Sequence, residues 1–312
     1  MTELIIYVPT YNRLNKLINC LNAIKYDIAG YEDRVVVYVS NNASTDGTKE
    51  YLNSLDWIKV RHNKTNLGFV GNVTHGYNLP FESKFVWIIG DDDYLIAGSI
   101  SELLKLTQYD VDYIFCNTTA FSPEDEPDIW AAFPNIPEGK IKGKYENSFE
   151  CKFPDLIDPN VADTLLGELM VNCFRQSKVR WTEPIENDET DARIRQPHNV
   201  PLIQLFTKDT KAIYCQTPRT FNFWGTTEWM DDYDYIFPII TLWLINEYRK
   251  FIPEGKYFAL LEYYFKLMGK SIERQINKTT TAKPFNDAFI EVLNKSFDEF
   301  MANQGDLACK QS

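Results

Sequence analysis

No Cys-x-x-Cys pair occurs among the six cysteines Cys20, Cys116, Cys151, Cys173, Cys215 and Cys309. Several stand in apolar runs, so they read as buried thiols of a reducing compartment, and zinc-ribbon and disulfide-scaffold classes drop out. Histidine is scarce, with His62, His75 and His198 the full complement. A surplus of basic residues is lacking: 32 Lys and Arg stand against 44 Asp and Glu, for a formal net charge of −12. Bare nucleic acid as the main partner would call for a basic face and is therefore not expected. A small phosphorylated ligand stays open, because local charge decides its binding. The longest apolar run, Ile236 to Ile245, has ten residues and contains Pro238 and Thr241, too few to span a bilayer. Met1-Thr2-Glu3 leads directly into an apolar strand, with no basic region and no cleavable apolar segment. The expectation is a soluble, cytoplasmic protein. No internal repeat and no low-complexity tract is present.

What is there points to a globular chain. Its 312 residues can bury a full core, and 44% hydrophobic with 14% aromatic residues is a folded composition. Leu4 to Val8 is an apolar run stopped by Pro9, followed by Leu14, Leu17, Ile18, Leu21 and Ile24 at helical spacing. Val35 to Val39 is a second apolar strand, ending in Ser40-Asn41-Asn42-Ala43-Ser44-Thr45-Asp46-Gly47-Thr48, where Asp46 or Thr45 can cap a helix to about Leu55. Trp57 to Arg61 is a short third strand, and Asn66-Leu67-Gly68 opens a helix to about Asn78. Helices alternating with continuous apolar strands predict an α/β fold with a mostly parallel, Rossmann-like sheet covered on both faces.

Phe85-Val86-Trp87-Ile88-Ile89 then runs into Gly90-Asp91-Asp92-Asp93. Open α/β sheets bind ligands outside the carboxyl ends of their strands, which is where this acidic turn falls. Adjacent carboxylates repel unless a cation lies between them, and a hard divalent ion shared with substrate phosphates is one solution. A solvated acidic turn is the other reading. Ser99 to Leu106 reads as a helix, Val111 to Asn117 as a strand, and Ser122 to Lys144 as a long loop. Gly167 to Arg175 reads as a strand, Thr182 to Arg195 as a polar loop, Pro197 to Phe206 as a helix and Lys211 to Cys215 as a last short strand. Three helical segments close the chain, Tyr235 to Phe251, Lys256 to Asn277 and Phe285 to Met301. The middle one carries Leu260, Leu261, Tyr264, Leu267, Met268 and Ile272 on a stripe. Its mixed Glu and Lys polar face favours packing on the sheet domain or on a second copy over a membrane surface. The expected organisation is a domain over 1–230, divided at 117, and a helical subdomain over 231–312.

Four elements occur in a fixed order over residues 3 to about 107: Val8-Pro9-Thr10-Tyr11-Asn12-Arg13, Ser40 to Thr48, Asn66-Leu67-Gly68, and Trp87 to Asp93. In that order and spacing the sequence resembles the family 2 glycosyltransferases, whose nucleotide-sugar-binding domain has the GT-A fold. The Ser-Asn-Asn-Ala-Ser-Thr-Asp-Gly and Gly-Asp-Asp-Asp forms are most similar to the abequosyltransferase-like branch, which acts in bacterial surface polysaccharide assembly such as O-antigen or capsule. The resemblance implies Mn²⁺ or Mg²⁺ as cofactor and a nucleotide-sugar donor, a UDP-sugar first and a dTDP- or CDP-sugar next. It implies a saccharide or lipid-linked acceptor. Peripheral contact with the inner face of the membrane stays open, as does association of copies through the C-terminal helices, which rests on their apolar stripe and not on the resemblance.

By that resemblance Pro9, Tyr11 and Arg13 border the nucleotide, and Asn66 and Gly68 belong to the donor site. Asp91 faces the ribose, Asp92 ligates the metal, and Asp93 holds it through water or orients the turn. Arg13 could equally be a solvated first-turn residue. The family residue matching Asn41 is usually an aspartate that accepts from the base's ring N–H. Asparagine can still accept, and can also donate, so the identity of the base is open. Asn42 and Ser44 fit plain turn formers, and Asp46 a cap. Members of the family invert the anomeric centre with a base that is often the aspartate of a Glu-Asp pair opening a helix. Here that stretch is Gln196-Pro197-His198-Asn199, so the pair is absent and His198 stands in its place. An imidazole with a pKa near ~6.5 can act as base or metal ligand; a structural hydrogen bond at the helix start is the alternative. Glu186, Asp188, Glu189 and Asp191 are rival bases, Asp191 foremost. His62 and His75 read as structural. Phe221, Phe223, Trp224 and Trp229, with Gly225 and Glu228, offer either sugar-stacking faces or anchors for the helical subdomain. The missing pair and Asn41 also admit a nucleotide-sugar-binding protein without turnover. A nucleotidyltransferase is disfavoured, because no glycine-rich basic loop follows the first strand.

Overall fold

Parallel pairing organises the first half of the chain. In the computed structural model, which describes residues 2–162, 164–182, 193, 196–223, 233–276, 291 and 294–302, strand β1 (Leu4–Thr10) lies between β2 (Val35–Asn41) and β4 (Phe85–Ile88). Leu4 sits opposite both Val35 and Phe85, and all three strands run the same way. The connections are helices α1 (Leu14–Asp27), α2 (Thr48–Asn53) and α3 (Gly68–Thr74), with β3 (Lys59–His62) paired parallel to β2. Such crossovers bring the carboxyl ends of β1, β2 and β4 to one edge of the sheet.

Alternation along each strand divides the core between the two faces. Leu4, Ile6 and Val8 join Leu17, Leu21 and Ile24 of α1 on one side. Ile5 and Tyr7 face the other side, with Val86 and Ile88. Strands buried on both faces need no polar alternation, which is why they read as continuous apolar runs. Pro9 does not end β1. Pairing with β4 stops at Tyr7 and Ile88, and only β2 continues along Pro9 and Thr10, so a missing N–H is tolerated at this strand end.

Beyond β4 come β5 (Tyr94–Leu95), α4 (Ser99–Leu106) and β6 (Tyr113–Phe121). The expected loop from Ser122 to Lys144 contains helix α5 (Glu126–Ala132) and strand β7 (Lys140–Ile141). Both are too short to show a period, and α5 is held by tertiary contact: Trp130 meets Tyr94 edge-on at 4.8 Å. The strand β8 (Phe149–Lys152) follows, then β9 (Asn172–Arg175), which is shorter than the Gly167–Arg175 expectation. Strand β9 runs antiparallel between β4 and β6, so its amino end lies at the edge where β4 and β6 finish. After α6 (Val200–Leu205), β10 (Lys211–Phe223) continues past the expected stop at Cys215 through a register shift before Thr220. The sheet order is β3-β2-β1-β4-β9-β6-β10-β5.

That extension of β10 decides the role of two aromatics. Phe221 is 0% exposed and Phe223 6% exposed, and they pack on Tyr94 and Phe121 inside the sheet core. Buried this way, neither ring offers a face to a sugar. Trp224, Gly225, Glu228 and Trp229 lie outside the described residues.

Helices α7 (Tyr233–Tyr248) and α8 (Glu254–Ile276) close the described fold, with residues 294–302 also helical. Leu244, Tyr248, Leu261 and Tyr264 share one buried cluster with Leu165 and Leu166 and with Tyr7 of β1. The α8 stripe holds for Leu260, Leu261, Tyr264 and Met268, but Leu267 is 58% exposed and lies off it. Among the described residues no helix is long and apolar enough to cross a membrane.

Candidate active site

The turn after β1 and the turn after β4 meet through charge. The Arg13 guanidinium donates from Nη1 to Asp91 Oδ1 at 2.9 Å and to Asp92 Oδ2 at 3.0 Å. Thr10 Oγ1 donates to the other Asp91 oxygen at 2.7 Å, and Lys16 Nζ stands 3.6 Å from Asp92 Oδ2. Burial opposes the Arg13 charge, but Asp92 and Asp91 outweigh it and hold the guanidinium above its ordinary range. Burial first, and then the Asp92 charge, raise the carboxyls of Asp91 and Asp93.

The acidic triplet thus divides into different environments. The Asp91 side chain is 5% exposed and occupied by Thr10 and Arg13. Asp93 turns back on its own turn and accepts the Gly90 N–H at 2.6 Å. Asp92, 20% exposed, is the carboxylate that reaches solvent. A Cβ at Gly90 would come within 2.9 Å of Asp93 Oδ2 and 3.0 Å of Asp92 Oδ1, so a side chain there would have to displace the two carboxylates. Among the described residues no three His, Cys, Asp or Glu side chains converge as a metal cage. One outward carboxylate does suit Mg²⁺ or Mn²⁺ of the kind bound by one or two carboxylates, waters and substrate phosphates.

An amide network builds the turn after β2. Asn42, 2% exposed, donates to Asn66 Oδ1 at 2.7 Å and to the Gly68 carbonyl at 3.1 Å. Its own oxygen accepts from Asn63 Nδ2 at 3.0 Å and from the Leu67 N–H at 2.9 Å. Asn72 accepts from Ser40 Oγ at 2.7 Å and donates to the Ser40 carbonyl at 3.1 Å. These bonds lock the start of α3 onto the ends of β2 and β3. Asn41 is 1% exposed, accepts the Ser44 N–H at 2.9 Å, and has Nδ2 3.1 Å from His62 Nδ1. Asn12, at φ 51°, accepts the Thr45 N–H at 2.8 Å and donates its own N–H to Ser44 Oγ at 2.9 Å, clasping the first turn to the second. Asp46 accepts the Leu14 N–H at 2.9 Å and the Thr48 N–H at 3.2 Å, so one carboxylate caps the starts of both α1 and α2.

Of the remaining expected site residues, Tyr11 is 42% exposed at the rim, whereas Pro9 is buried within β1 opposite Ser40. Asn66 is exposed, and its oxygen also receives the Gly68 N–H at 2.8 Å. His198 is 3% exposed; its Nε2 lies 3.0 Å from the Gly167 carbonyl, to which it donates, and Nδ1 has no partner among the described residues. Burial lowers the imidazole to about 4, with the Gly167 bond opposing. Burial, with Arg61 adding to it, takes His75 to about 4 as well. Glu186, Asp188, Glu189 and Asp191 lie outside the described residues.

Sequence reasoning passed over Thr10, Lys16, Asn63 and Asn72. Thr10 stands within a motif it did use, and Lys16 lies one helical turn on from Arg13. The two asparagines had no signal beyond composition.

A sequence profile described as Glycosyl transferase family 2 matches residues 5–163. Abequosyltransferase RfbV of Salmonella typhimurium is 33% identical over 115 residues, covering 35% of this chain and 34% of that protein. The chain therefore matches about a third of the length of this curated relative. Among solved structures, TarS of S. aureus (residues 1–349) in complex with UDP-GlcNAc has a TM-score of 0.58 at 14% identity, covering 85% of this chain and 72% of that one. Mannosyltransferase PcManGT of Pyrobaculum calidifontis in complex with GDP-Man and Mn²⁺ has a TM-score of 0.53 at 12% identity, covering 96% of this chain and 80% of that one. At such identities the likeness concerns the fold, and it is the GT-A arrangement. The matched span takes in every turn from Thr10 to Asp93 that meets at the sheet edge, and on it the chain belongs to glycosyl transferase family 2.

Proposed function

We propose that the chain moves a sugar, with inversion, from a nucleotide-sugar donor to a hydroxyl of a saccharide or lipid-linked acceptor during assembly of a bacterial surface polysaccharide. The observation that carries this reading is the Arg13 bridge across Asp91 and Asp92 at the carboxyl edge of β1 and β4. It puts fixed cations beside the one outward carboxylate, where a diphosphate and its divalent counter-ion would both find partners. In this reading residues 1–117 hold the donor and residues 118–230 the acceptor.

Asp92 would hold Mn²⁺ or Mg²⁺, which when bound supplies Lewis-acid neutralisation of the charge growing on the departing diphosphate. Arg13 and Lys16 serve the same charge from the protein side, because both already face Asp92. In this reading Asp91 would meet the ribose with the lone pairs that Thr10 and Arg13 leave on it. Tyr11 stands at the rim for the nucleotide base, and Asn41, Asn66 and Gly68 shape the neighbouring wall. Inversion by single displacement requires a group that takes the acceptor proton as the new bond forms. His198 as that group would have to act from behind the Gly167 carbonyl with a depressed pKa. This buried imidazole is the observation favouring a donor-binding protein without turnover.

A thermal-shift screen of UDP-, dTDP-, CDP- and GDP-hexoses with Mn²⁺ tests the proposal. A ligand that binds the native state raises the melting temperature by linkage. At least one nucleotide sugar should do so in Mn²⁺ and lose the effect in EDTA; no shift across the panel would contradict the reading. Slow hydrolysis of the donor that binds would exclude the inactive alternative.

A further inference from the structure

The acceptor side of this edge carries an ion pair that the donor site does not use. Lys142 Nζ meets Glu168 Oε1, with side chains 7% and 19% exposed. The other carboxylate oxygen, Glu168 Oε2, is buried and has no hydrogen-bond partner among the described residues. A buried carboxylate oxygen left without a donor is costly until one reaches it.

Three connections place the pair next to the acidic turn. Strand β9 is antiparallel to β4, with Trp87 opposite Cys173, so residues preceding β9 continue alongside those following β4. The Trp87 indole donates to the Met170 carbonyl at 2.7 Å. Lys142 follows β7, which pairs with the carboxyl end of β6, and its N–H bonds the Thr118 carbonyl at 3.0 Å.

The segment that carries Glu168 is strained and fixed. Leu165 and Leu166 have φ of 50° and 66°, and both are 0% exposed. The left-handed region crowds the Cβ of any residue but glycine against the following carbonyl, so two consecutive leucines there are strained. Side chains from separate elements hold the segment: Tyr248 Oη on the Leu165 carbonyl at 3.2 Å, His198 Nε2 on the Gly167 carbonyl at 3.0 Å, and Asn172 Nδ2 on the Glu168 carbonyl. Backbone outliers that are over-determined in this way gather at functional sites. Placing His198 here also explains its burial without giving it a proton to move.

We infer that Glu168 is the general base, taking the proton of the acceptor hydroxyl, with Lys142 and His198 as positioning residues. This rests on the transfer reading above. The acceptor oxygen forms its bond to the anomeric carbon as the bond to the diphosphate oxygen breaks. The diphosphate leaves with the electron pair, and the acceptor proton passes to a Glu168 oxygen. The terminal torsion of a glutamate is broad and two-fold, so either oxygen can be turned toward the acceptor while the other stays near Lys142.

Water can stand in for the unknown acceptor, so the test is donor hydrolysis. Full-length protein with Mn²⁺ is given a pool of UDP-, dTDP-, CDP- and GDP-hexoses, and nucleoside diphosphate release is followed. Glu168→Gln should lower release at least ~100-fold, the usual worth of a general base, while donor affinity by calorimetry stays within threefold. Sodium azide should restore release in Glu168→Ala, because an anionic nucleophile needs no base; a merely structural role would give no such rescue. Unchanged release in Glu168→Gln would overturn the assignment, as would loss of donor affinity in step with release, no rescue by azide, or azide rescue of Asp191→Asn instead. Failure of the unaltered protein to bind any donor would instead remove the transfer reading, and this one with it.

Discussion

Replacing Arg13 by alanine isolates the contact on which the site is built. Two charge-assisted hydrogen bonds disappear, at 2.9 Å to Asp91 and 3.0 Å to Asp92. They are not equal. The Asp92 side chain is 20% exposed and can be solvated, and Lys16 remains 3.6 Å away, so this half is worth ~0.5 kcal/mol. The Asp91 side chain is 5% exposed and keeps only Thr10 as donor, which leaves a buried carboxylate beside two other acids. Bonds to charged groups are worth about 1.5–3 kcal/mol, so Arg13→Ala should cost ~2–3 kcal/mol in total. Most of that is uncompensated charge, not lost contact. Adding Asp91→Asn to Arg13→Ala should therefore recover at least ~1 kcal/mol, although Asp91→Asn in the unaltered protein removes a bonded carboxylate and destabilises. Urea unfolding followed by circular dichroism measures all four proteins, with m expected to stay constant. A single-variant cost below ~0.5 kcal/mol, or a double variant whose loss is the sum of the two singles, would refute the reasoning.

Other consequences are as concrete. Asn42→Ala removes four hydrogen bonds of a buried amide and should cost ~2–4 kcal/mol, with faster hydrogen exchange at the Leu67 N–H; wild-type exchange there would show the network to be dispensable. His198 is neutral in the fold down to about 4 but protonates near 6.5 when unfolded, so the unfolded state binds the extra proton between those values. Stability should fall as the pH drops from 6.5 to 4, by ~3 kcal/mol from this group, and His198→Gln should flatten that slope in urea titrations at successive pH values. Phe221→Ala should cost ~3–5 kcal/mol in urea unfolding with donor affinity unchanged, whereas preserved stability with lost affinity would return the ring to the binding site.

The first half of the fold was legible because its strands are buried on both faces. Leu4 to Val8 and Val35 to Val39 carry that burial as unbroken apolar runs, and Pro, Gly and Asn mark the turns between them. The acidic turn was legible as chemistry but not as geometry. Its division into an occupied Asp91, an outward Asp92 and a folded-back Asp93 depends on Arg13 and Thr10, separated from it by about 80 residues. Short elements were lost for the same reason: α5 has one buried residue of its own, and its place is set by Trp130 meeting Tyr94. Strand β10 reads as ending at Cys215 because Gln216, Thr217 and Pro218 look like a turn, whereas they form a register shift within one strand. Glu168 gave no sign in the sequence. Its setting is made by a strained backbone and by donors from β9, the turn before α6, and α7; of these only Asn172 is near it in sequence.

The central claim is that Asp92 joins a divalent cation to a nucleoside diphosphate at the carboxyl edge of β4. Calorimetric titration of UDP, CDP and dTDP into the full chain, in Mn²⁺ and again in EDTA, tests it most directly. The account predicts that at least one diphosphate binds in Mn²⁺ and loses affinity at least ~100-fold in EDTA, as a metal-bridged contact requires. Asp92→Ala should show the weak affinity in both buffers while keeping the wild-type circular dichroism. Equal affinity with and without Mn²⁺, or full Mn²⁺-dependent affinity in Asp92→Ala, would contradict it.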